Sequence, residues 1–492
     1  MGAQRSADSK MPGTTVCGSS CDAMPHSLTN AEIEALEHEL STRTIDSRHD
    51  SHLHRSADLR SLKLRWESVI EDRDVLAKDA SISTKSSIVM RVGRLVLSSG
   101  ASGYRVEKVM GHVAALLGTS CQAEVGLVSI DLTITDGHAA FTEVASLPAT
   151  GVNTERMQIL ERVVDELEEG LGELTVSDVH RLLDTIEKHP GRYSPWQQGV
   201  AAGLACCAFV FLLGGGLIEM FGALVGAGIG NFVRCLMLKR RINQFGSAAL
   251  SVAIAGLCYA ATLALLSLVI PNAMHHAAGY IGAMLFVIPG FPLITSGLDI
   301  AKFRFASGLQ RLAYALTIVI GATIVGWMIA KLVALQPDEF APLGLDPGVE
   351  CLLRVVASFV GVFGFSVMFN SPPRMCLAAA LIGAVSNTAR LELIDFAGMP
   401  PEAAALLGSL ISGLLASVIG LRFTLPRISL TVPSIVIMVP GLYLYRAMYY
   451  LGDLSATAAL SWGMEAFIII LCLPIGLAIA RMLTDKNWRY DR

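Results

Sequence analysis

Residues 279–299, GYIGAMLFVIPGFPLITSGLD, form an apolar run long enough to cross a bilayer, yet Pro289-Gly290 interrupts it near its middle. Residues 434–451, SIVIMVPGLYLYRAMYYL, repeat the device with Pro440-Gly441. Proline removes a backbone donor and clashes with the turn before it, and glycine loosens the chain after it. In hydrocarbon the freed peptide groups would cost several kcal/mol each, and lipid offers them no partner. Interrupted backbone at membrane depth is tolerated only against protein or a water-filled cavity, so paired interruptions in corresponding places point to the binding site of a duplicated transporter. A proline kink packed against its neighbours is the competing reading, and it suits one such helix better than two.

Of the 492 residues 53% are hydrophobic and 16% charged, and the mean hydropathy is +0.54. These values exclude a soluble protein of this length. The formal net charge of −4 averages a polar N-terminal part with an apolar remainder and indicates no partner. Residues 1–83 are expected to be a disordered polar tail, rich in Ser, Asp, Arg and His, with no signal-peptide apolar core. A short amphipathic helix is expected at 31–40. Cys17, Cys21 and His26 lack the fourth ligand a zinc site needs, and the cysteines from Cys206 onward are scattered through apolar runs without metal spacing. No metal or cofactor is expected, and no phosphate-binding Gly-Lys loop occurs.

Residues 84–192 read as a small cytoplasmic α+β domain. Ile88, Val92, Leu95 and Val96 share one helical face, and Val106, Val109, Met110, Val113, Leu116 and Leu117 another, with a break at Ser98-Ser99-Gly100. Three strand-like runs follow, with Asp136-Gly137 as a hairpin turn. Two helices complete the domain, at 155–171 and at 176–188, the second capped by Thr175 or Ser177. Ser99, Ser102, Asp131, Asp136 and His138 allow a Ser-His-Asp arrangement on paper, which would make the domain a membrane-tethered hydrolase, but the nucleophile-elbow spacing is missing. A role in assembly or gating of the membrane part is expected instead.

About ten apolar runs follow, at the ~17–25 residues a bilayer requires. They fall into two five-helix groups, 193–335 and 349–484, separated by an acidic external loop at 336–348 and followed by a cytoplasmic tail at 485–492. Lys and Arg gather on one side, at Arg234, Lys239 to Arg241, Lys302, Arg304, Arg374, Arg422, Arg427 and Arg481. That side, with both termini, is expected to be cytoplasmic. The fold class is a polytopic α-helical membrane protein of two inverted repeats. VGAGIGNFVR at 225–234 and LIGAVSNTAR at 381–390 align Asn231 and Arg234 with Asn387 and Arg390. An odd number of spans per copy inverts the second, placing Arg390 outside where Arg234 is inside.

Polar residues at depth concentrate function because each costs a few kcal/mol unless paired or hydrated. The substrate-binding candidates are Pro289, Gly290, Pro440 and Gly441 at the breaks, Tyr443 beyond the second, and the amides Asn231 and Asn387. An amide can donate to a carboxylate and accept from an ammonium or hydroxyl; interhelical glue is the alternative. Glu219 and Asp299 are the proton-coupling candidates. Asn370 is expected to cap its helix, and His275-His276 to mark a wet external loop.

RVGRLVLSSGASGYRVEKVMGHVAALLG at 91–118, followed by two five-span halves carrying VIPGFPLITSGLD and VPGLYLYRAMY, resembles the bacterial threonine/serine exporter (ThrE) family over about residues 84–483. The resemblance implies a secondary exporter in the plasma membrane that expels L-threonine and L-serine by proton antiport. Its partners would be a small amino acid, protons and the bilayer, with no nucleic acid; a homo-oligomer is left open. Related two-part exporters suggest a small dicarboxylate such as succinate as the alternative substrate. The family's N-terminal domain has been likened to hydrolases, which the residues here support little.

Overall fold

Two apolar helix faces and an alternating strand account for the first part of the structure, a computed structural model that describes residues 70–489 apart from positions 71, 149, 171–173, 272, 338–339 and 341–342. The expected helix at 31–40, the Cys17/Cys21/His26 group and the acids Asp338 and Glu339 lie outside the described residues. Helix α1 (Ile82–Ser98) buries Ile88, Val92, Leu95 and Val96. It packs on α2 (Gly103–Leu116), where an ideal Cβ on Gly93 would lie 2.5 Å from Met110 Sδ. Strands β1 (Ser120–Val125), β2 (Ser129–Thr135) and β3 (Ala140–Ser146) make an antiparallel sheet in that order. The β2–β3 turn is closed by Gly137 at φ +91° and by Asp136 Oδ1, which accepts from the amides of His138 and Ala139. Ile130, Leu132 and Ile134 alternate inward and are fully buried, as period-two patterning requires.

Helices α3 (Thr154–Gly170) and α4 (Val176–Lys188) follow. Thr175 is the N-cap of α4, in a capping box with Asp178. His180 of α4 is buried, and Arg91 donates to its Nδ1 at 3.1 Å and to its carbonyl. Burial first, and the Arg91 charge second, lower its pKa from 6.5 to about 4. The unfolded chain therefore binds the proton more readily across that window, so stability falls as pH drops from ~6.5 towards 4. Hydrogen exchange of α1 and α4 in the full chain should speed up over this range, by up to about 2–3 kcal/mol of lost protection. His180→Leu should flatten the dependence.

Among the described residues eight helices are long and apolar enough to cross a membrane, and two bent pairs bring the number to ten. The first group is α5 (Pro195–Leu212), α6 (Leu217–Lys239), α7 (Gln244–Leu266), the broken span α8 (Tyr280–Met284) and α9 (Gly290–Ala301), and α10 (Phe305–Leu332). The second is α11 (Pro347–Met368), α12 (Pro373–Asp395), α13 (Pro401–Phe423), the broken span α14 (Arg427–Val436) and α15 (Gly441–Gly452), and α16 (Ala456–Thr484). A short α17 (Lys486–Arg489) ends the described chain.

Packing in the two groups corresponds pair by pair. Helix α5 packs on α6 as α11 on α12, α6 on α7 as α12 on α13, α7 on α10 as α13 on α16, and α9 on α10 as α15 on α16. Between groups, α5 meets its counterpart α11, and the contact of α9 with α16 is answered by α10 with α15. Glycines and alanines permit this approach: an ideal Cβ on Gly203 would lie 2.6 Å from the Leu224 carbonyl, and on Gly364 2.5 Å from that of Ala201.

The N-terminal elements sit on one end of this bundle. Thr154 Oγ1 bonds the Phe369 carbonyl and Ser371, and Gln244 Nε2 donates to the Thr150 carbonyl. Gln310 Oε1 accepts from the Leu127 amide. Asn370, left-handed at φ 59° after α11, accepts from the Arg192 amide and donates to Asn153. It thus ties the N-terminal elements down as well as ending its helix.

Candidate functional site around the two helix breaks

Both breaks adopt the same geometry. Pro289 has φ −79° and ψ 63°, Pro440 φ −78° and ψ 56°, each the centre of an inverse γ-turn. Gly290 N–H donates back to the Ile288 carbonyl and Gly441 N–H to that of Val439, each at 2.8 Å. The tight turn satisfies locally what a straight helix with proline would leave open. The halves of the spans bend by 57° and 47°.

The breaks also face each other. An ideal Cβ on Gly290 would lie 3.2 Å from Val436 Cγ2 and 3.5 Å from Val439 Cγ2, and one on Gly441 2.5 Å from Ile288 Cδ1 and 2.6 Å from Leu285 Cδ2. Only glycine admits so close an approach on the Gly441 side. The sequence led to the expectation of a watery space between the breaks; in this structure Leu285, Ile288, Val436 and Val439 fill it, because bare glycines let the apolar linkers close on each other. Beside them the hydroxyl of Tyr280 donates to that of Tyr445 at 2.6 Å, with ring centroids 5.3 Å apart. This pair links the first broken span to the second. Neither tyrosine was singled out from the sequence, although a polar group inside each interrupted run was the available signal.

Asn231 and Asn387 occupy matching places. Asn231 Nδ2 donates to the Gln198 carbonyl of α5 and Asn387 Nδ2 to Ser358 Oγ of α11, each at 2.9 Å. Both amides thus join the second helix of a group to its first, the role of interhelical glue, while Asn387 Oδ1 is buried without a partner. Tyr443 stands in the first turn of α15, its ring 5.4 Å from Trp462.

The two acids have separate surroundings. Glu219 is 4% exposed, accepts from the Gly216 amide and pairs with His276 Nδ1 at 2.5 Å, while Tyr259 donates to the His276 carbonyl. This cluster lies at the end of the bundle opposite the N-terminal elements. It draws His276 of the expected wet loop into a carboxyl–imidazole pair. Asp299 is fully buried and accepts from the amides of Gly103 and Tyr104, from Ser307 Oγ at 2.6 Å, and faces Arg311 Nε at 3.4 Å. Arg311 in turn donates to the carbonyls of Ala101 and Gly100. Asp299 therefore holds the start of α2 against the bundle, a partner set the sequence did not disclose.

The residues weighed for hydrolysis do not meet. Ser99 is buried with its hydroxyl on the Leu95 carbonyl, whereas His138 is exposed in the β2–β3 turn. A small, partly open recess of about 10 Å³ lies elsewhere, between α1, α2, α3 and Ile428, lined by Val96, Val109, Leu160 and the Arg105–Glu161 ion pair. Burial raises the Glu161 carboxyl above the usual range, with the Arg105 charge opposing it.

Eight to ten helical spans long and apolar enough to cross a membrane, among the described residues, fall into two corresponding groups around facing broken spans and define a multi-pass helical membrane protein. The chain belongs to the threonine/serine exporter family: the ThrE family model matches residues 87–333, and a companion model described as "Threonine/Serine exporter, ThrE" matches residues 354–483. The division between the two matches falls where the helix groups divide. Among curated proteins, the chain is 24% identical over 245 residues to the "Probable succinate transporter subunit YjjP" of Escherichia coli K12, covering 49% of this chain and 92% of that one. It is 25% identical over 237 residues to the protein of the same name from Klebsiella aerogenes, covering 48% and 88%. It is 21% identical over 361 residues to "Pheromone-regulated membrane protein 10" of Debaryomyces hansenii, covering 63% and 34%. No solved structure matches.

Proposed function

We propose that the chain is a secondary active exporter of small amino acids, L-threonine and L-serine, in the plasma membrane, with both termini cytoplasmic. The two helix groups are inverted repeats that rock about the paired breaks, giving alternating access. The observation that carries this reading is the reciprocal seating of the breaks, Gly290 against Val436 and Val439, Gly441 against Leu285 and Ile288. Parting the two linkers gives up apolar contact and the Tyr280–Tyr445 hydrogen bond beside it, and would open a path between the repeats.

Half-helix N-termini at α9 and α15 receive the substrate carboxylate, and Tyr443 and the Asn387 turn line the path. Asn231 serves as the matching brace on the other side. Protons are carried by Glu219 with His276, a pair of titratable groups at the external end. Asp299 acts instead as the anchor of the N-terminal elements, since four partners already hold its carboxylate. Glu402 and Glu465 lie within electrostatic reach of Tyr443 and supply negative charge for an ammonium group. Arg390 and Arg446 lie within the same reach, so both signs of charge stand where a zwitterionic amino acid would present its ammonium and carboxylate; the relatives named as succinate transporter subunits keep succinate as the second reading.

The purified chain in liposomes should move labelled threonine saturably, faster with an imposed pH gradient and slower with a protonophore. Glu219→Gln should leave a residual flux that no longer responds to the gradient. Movement of succinate but not threonine would select the second reading, and no movement of either would reject both.

A further inference from the structure

We infer that Arg234 and Arg390, the corresponding arginines of α6 and α12, receive the substrate's carboxylate on either side of the paired breaks. The inference rests on the transport reading above and names its substrate class as carboxylate-bearing solutes.

A guanidinium does not lose its proton in a protein, so an arginine inside an apolar bundle needs an anion or pays heavily for lacking one. Other arginines of this chain have one: Arg192 pairs with Glu155, Arg304 with Glu107, Arg311 with Asp299, and Arg354 with Glu350, Glu392 and Asp395. Neither Arg234 nor Arg390 is paired with an acid among the described residues, and the Nε of each is buried without a hydrogen-bond partner. The turn that carries Arg390 also buries Ser386 Oγ, Asn387 Oδ1 and Thr388 Oγ1 without partners. Buried polar atoms are almost always satisfied, and Ser386, one turn before Arg390 and on the same helical face, leaves its hydroxyl without a partner beside it.

The surroundings of Arg390 say which ligand. An ideal Cβ on Gly408 would meet Arg390 Cβ at 3.1 Å and Met438 Sδ at 3.2 Å, and Met438 belongs to the linker just before Pro440. Arg390 therefore stands beside the second break, with the Tyr443 phenol in electrostatic reach. In the first turn of α15, Gly441 N–H is spent on the γ-turn and Leu444 N–H on the Pro440 carbonyl, leaving the amides of Leu442 and Tyr443 without an intrahelical acceptor. A guanidinium, a phenol and a helix N-terminus together match a carboxylate. At the first break Pro292 removes one of the corresponding amides. An ideal Cβ on Gly230, one turn before Arg234, would lie 2.9 Å from Phe286 Cζ of the linker before Pro289, so the weight there falls on Arg234, which has the Tyr314 phenol in reach.

The two arginines face opposite ends of the bundle. Helix α6 runs from Glu219 at the far end to Lys239 near Gln244, which is bonded to Thr150 of the N-terminal elements. Helix α12 starts beside Asn370 on the side of those elements and ends at Asp395, paired with Arg354 near the start of α11. Arg234 thus lies towards the N-terminal elements and Arg390 towards the other face, one on each side of the breaks. An exported carboxylate meets Arg234 first and leaves past Arg390.

The test uses the full chain in liposomes and labelled-threonine counterflow, repeated with labelled succinate. Arg390→Gln and Arg234→Gln should each raise KM about 10- to 100-fold, the scale of a charged hydrogen bond, and Arg390→Lys should recover part of the loss. On the wild-type chain, the unlabelled carboxylate should compete while threoninamide, whose carboxylate is a neutral amide, should not; this arm decides the matter even where a glutamine variant fails to fold. Both variants keeping KM within about twofold of wild type, or threoninamide competing as well as threonine, would overturn the inference and leave the transport reading standing. A wild-type chain that moves neither solute would overturn both.

Discussion

Asp299→Ala is expected to destabilise the full chain by about 3–5 kcal/mol, the cost of stripping the partner from a buried charge. Asp299 is fully buried and the Arg311 side chain is 3% exposed, so water cannot replace what is lost. The substitution leaves Arg311 without its carboxylate and Gly103 N–H and Ser307 without their acceptor. The residue is thus a three-way junction between α9, α10 and the start of α2. Thermal unfolding in detergent should show a lower midpoint, and hydrogen exchange should rise first at residues 100–104. Asp299→Leu combined with Arg311→Met should recover the part of the loss that comes from the unpaired Arg311 charge, while the Gly103 amide and Ser307 hydroxyl stay without their acceptor. A loss below about 1 kcal/mol in the single variant, the scale of a surface ion pair, would contradict the anchoring role.

The anchor bears on transport because it joins the N-terminal elements to the helix that follows the first break. Helix α9 runs from Gly290 at the break to Ala301, with Asp299 in its last turn. A shift of α9 during opening is therefore felt at the start of α2, and the N-terminal elements are placed to follow or restrain it.

Local structure was legible in this sequence wherever periodicity or turn chemistry dictated it. Ile88, Val92 and Leu95 at helical spacing, the Asp136-Gly137 turn, and a cap at Thr175 all follow from residues close in sequence. The broken spans were legible for the same reason: proline followed by glycine is a local instruction. What the sequence withheld is partnership across distance. Asp299 meets Gly103 from 196 positions away, and nothing in either neighbourhood names the other. Glu219 read as a proton-coupling candidate and His276 as part of an external loop, until folding paired them. The Asn231 and Asn387 repeat marked two corresponding places, but whether an amide binds a solute or a neighbouring helix depends on what stands opposite, here the Gln198 carbonyl and Ser358. The dry contact between the breaks was equally hidden, because apolar residues flanking a Pro-Gly step serve a cavity wall and a closed seam alike.

Locking that seam should stop transport. Val436 Cγ1 and Cγ2 lie 3.3 and 3.2 Å from the position of a Cβ on Gly290, which puts the two Cβ atoms near the ~3.5–4.5 Å of a disulfide. A Gly290→Cys/Val436→Cys pair, built in a chain freed of its native cysteines, would bridge the first break to the linker of the second. The measurement is threonine flux through this variant in liposomes, before oxidation, after it, and after reduction. Flux is expected in the reduced form, none in the cross-linked form, and recovery with reductant. Undiminished flux through the fully cross-linked chain would contradict this, because the breaks would then never need to part.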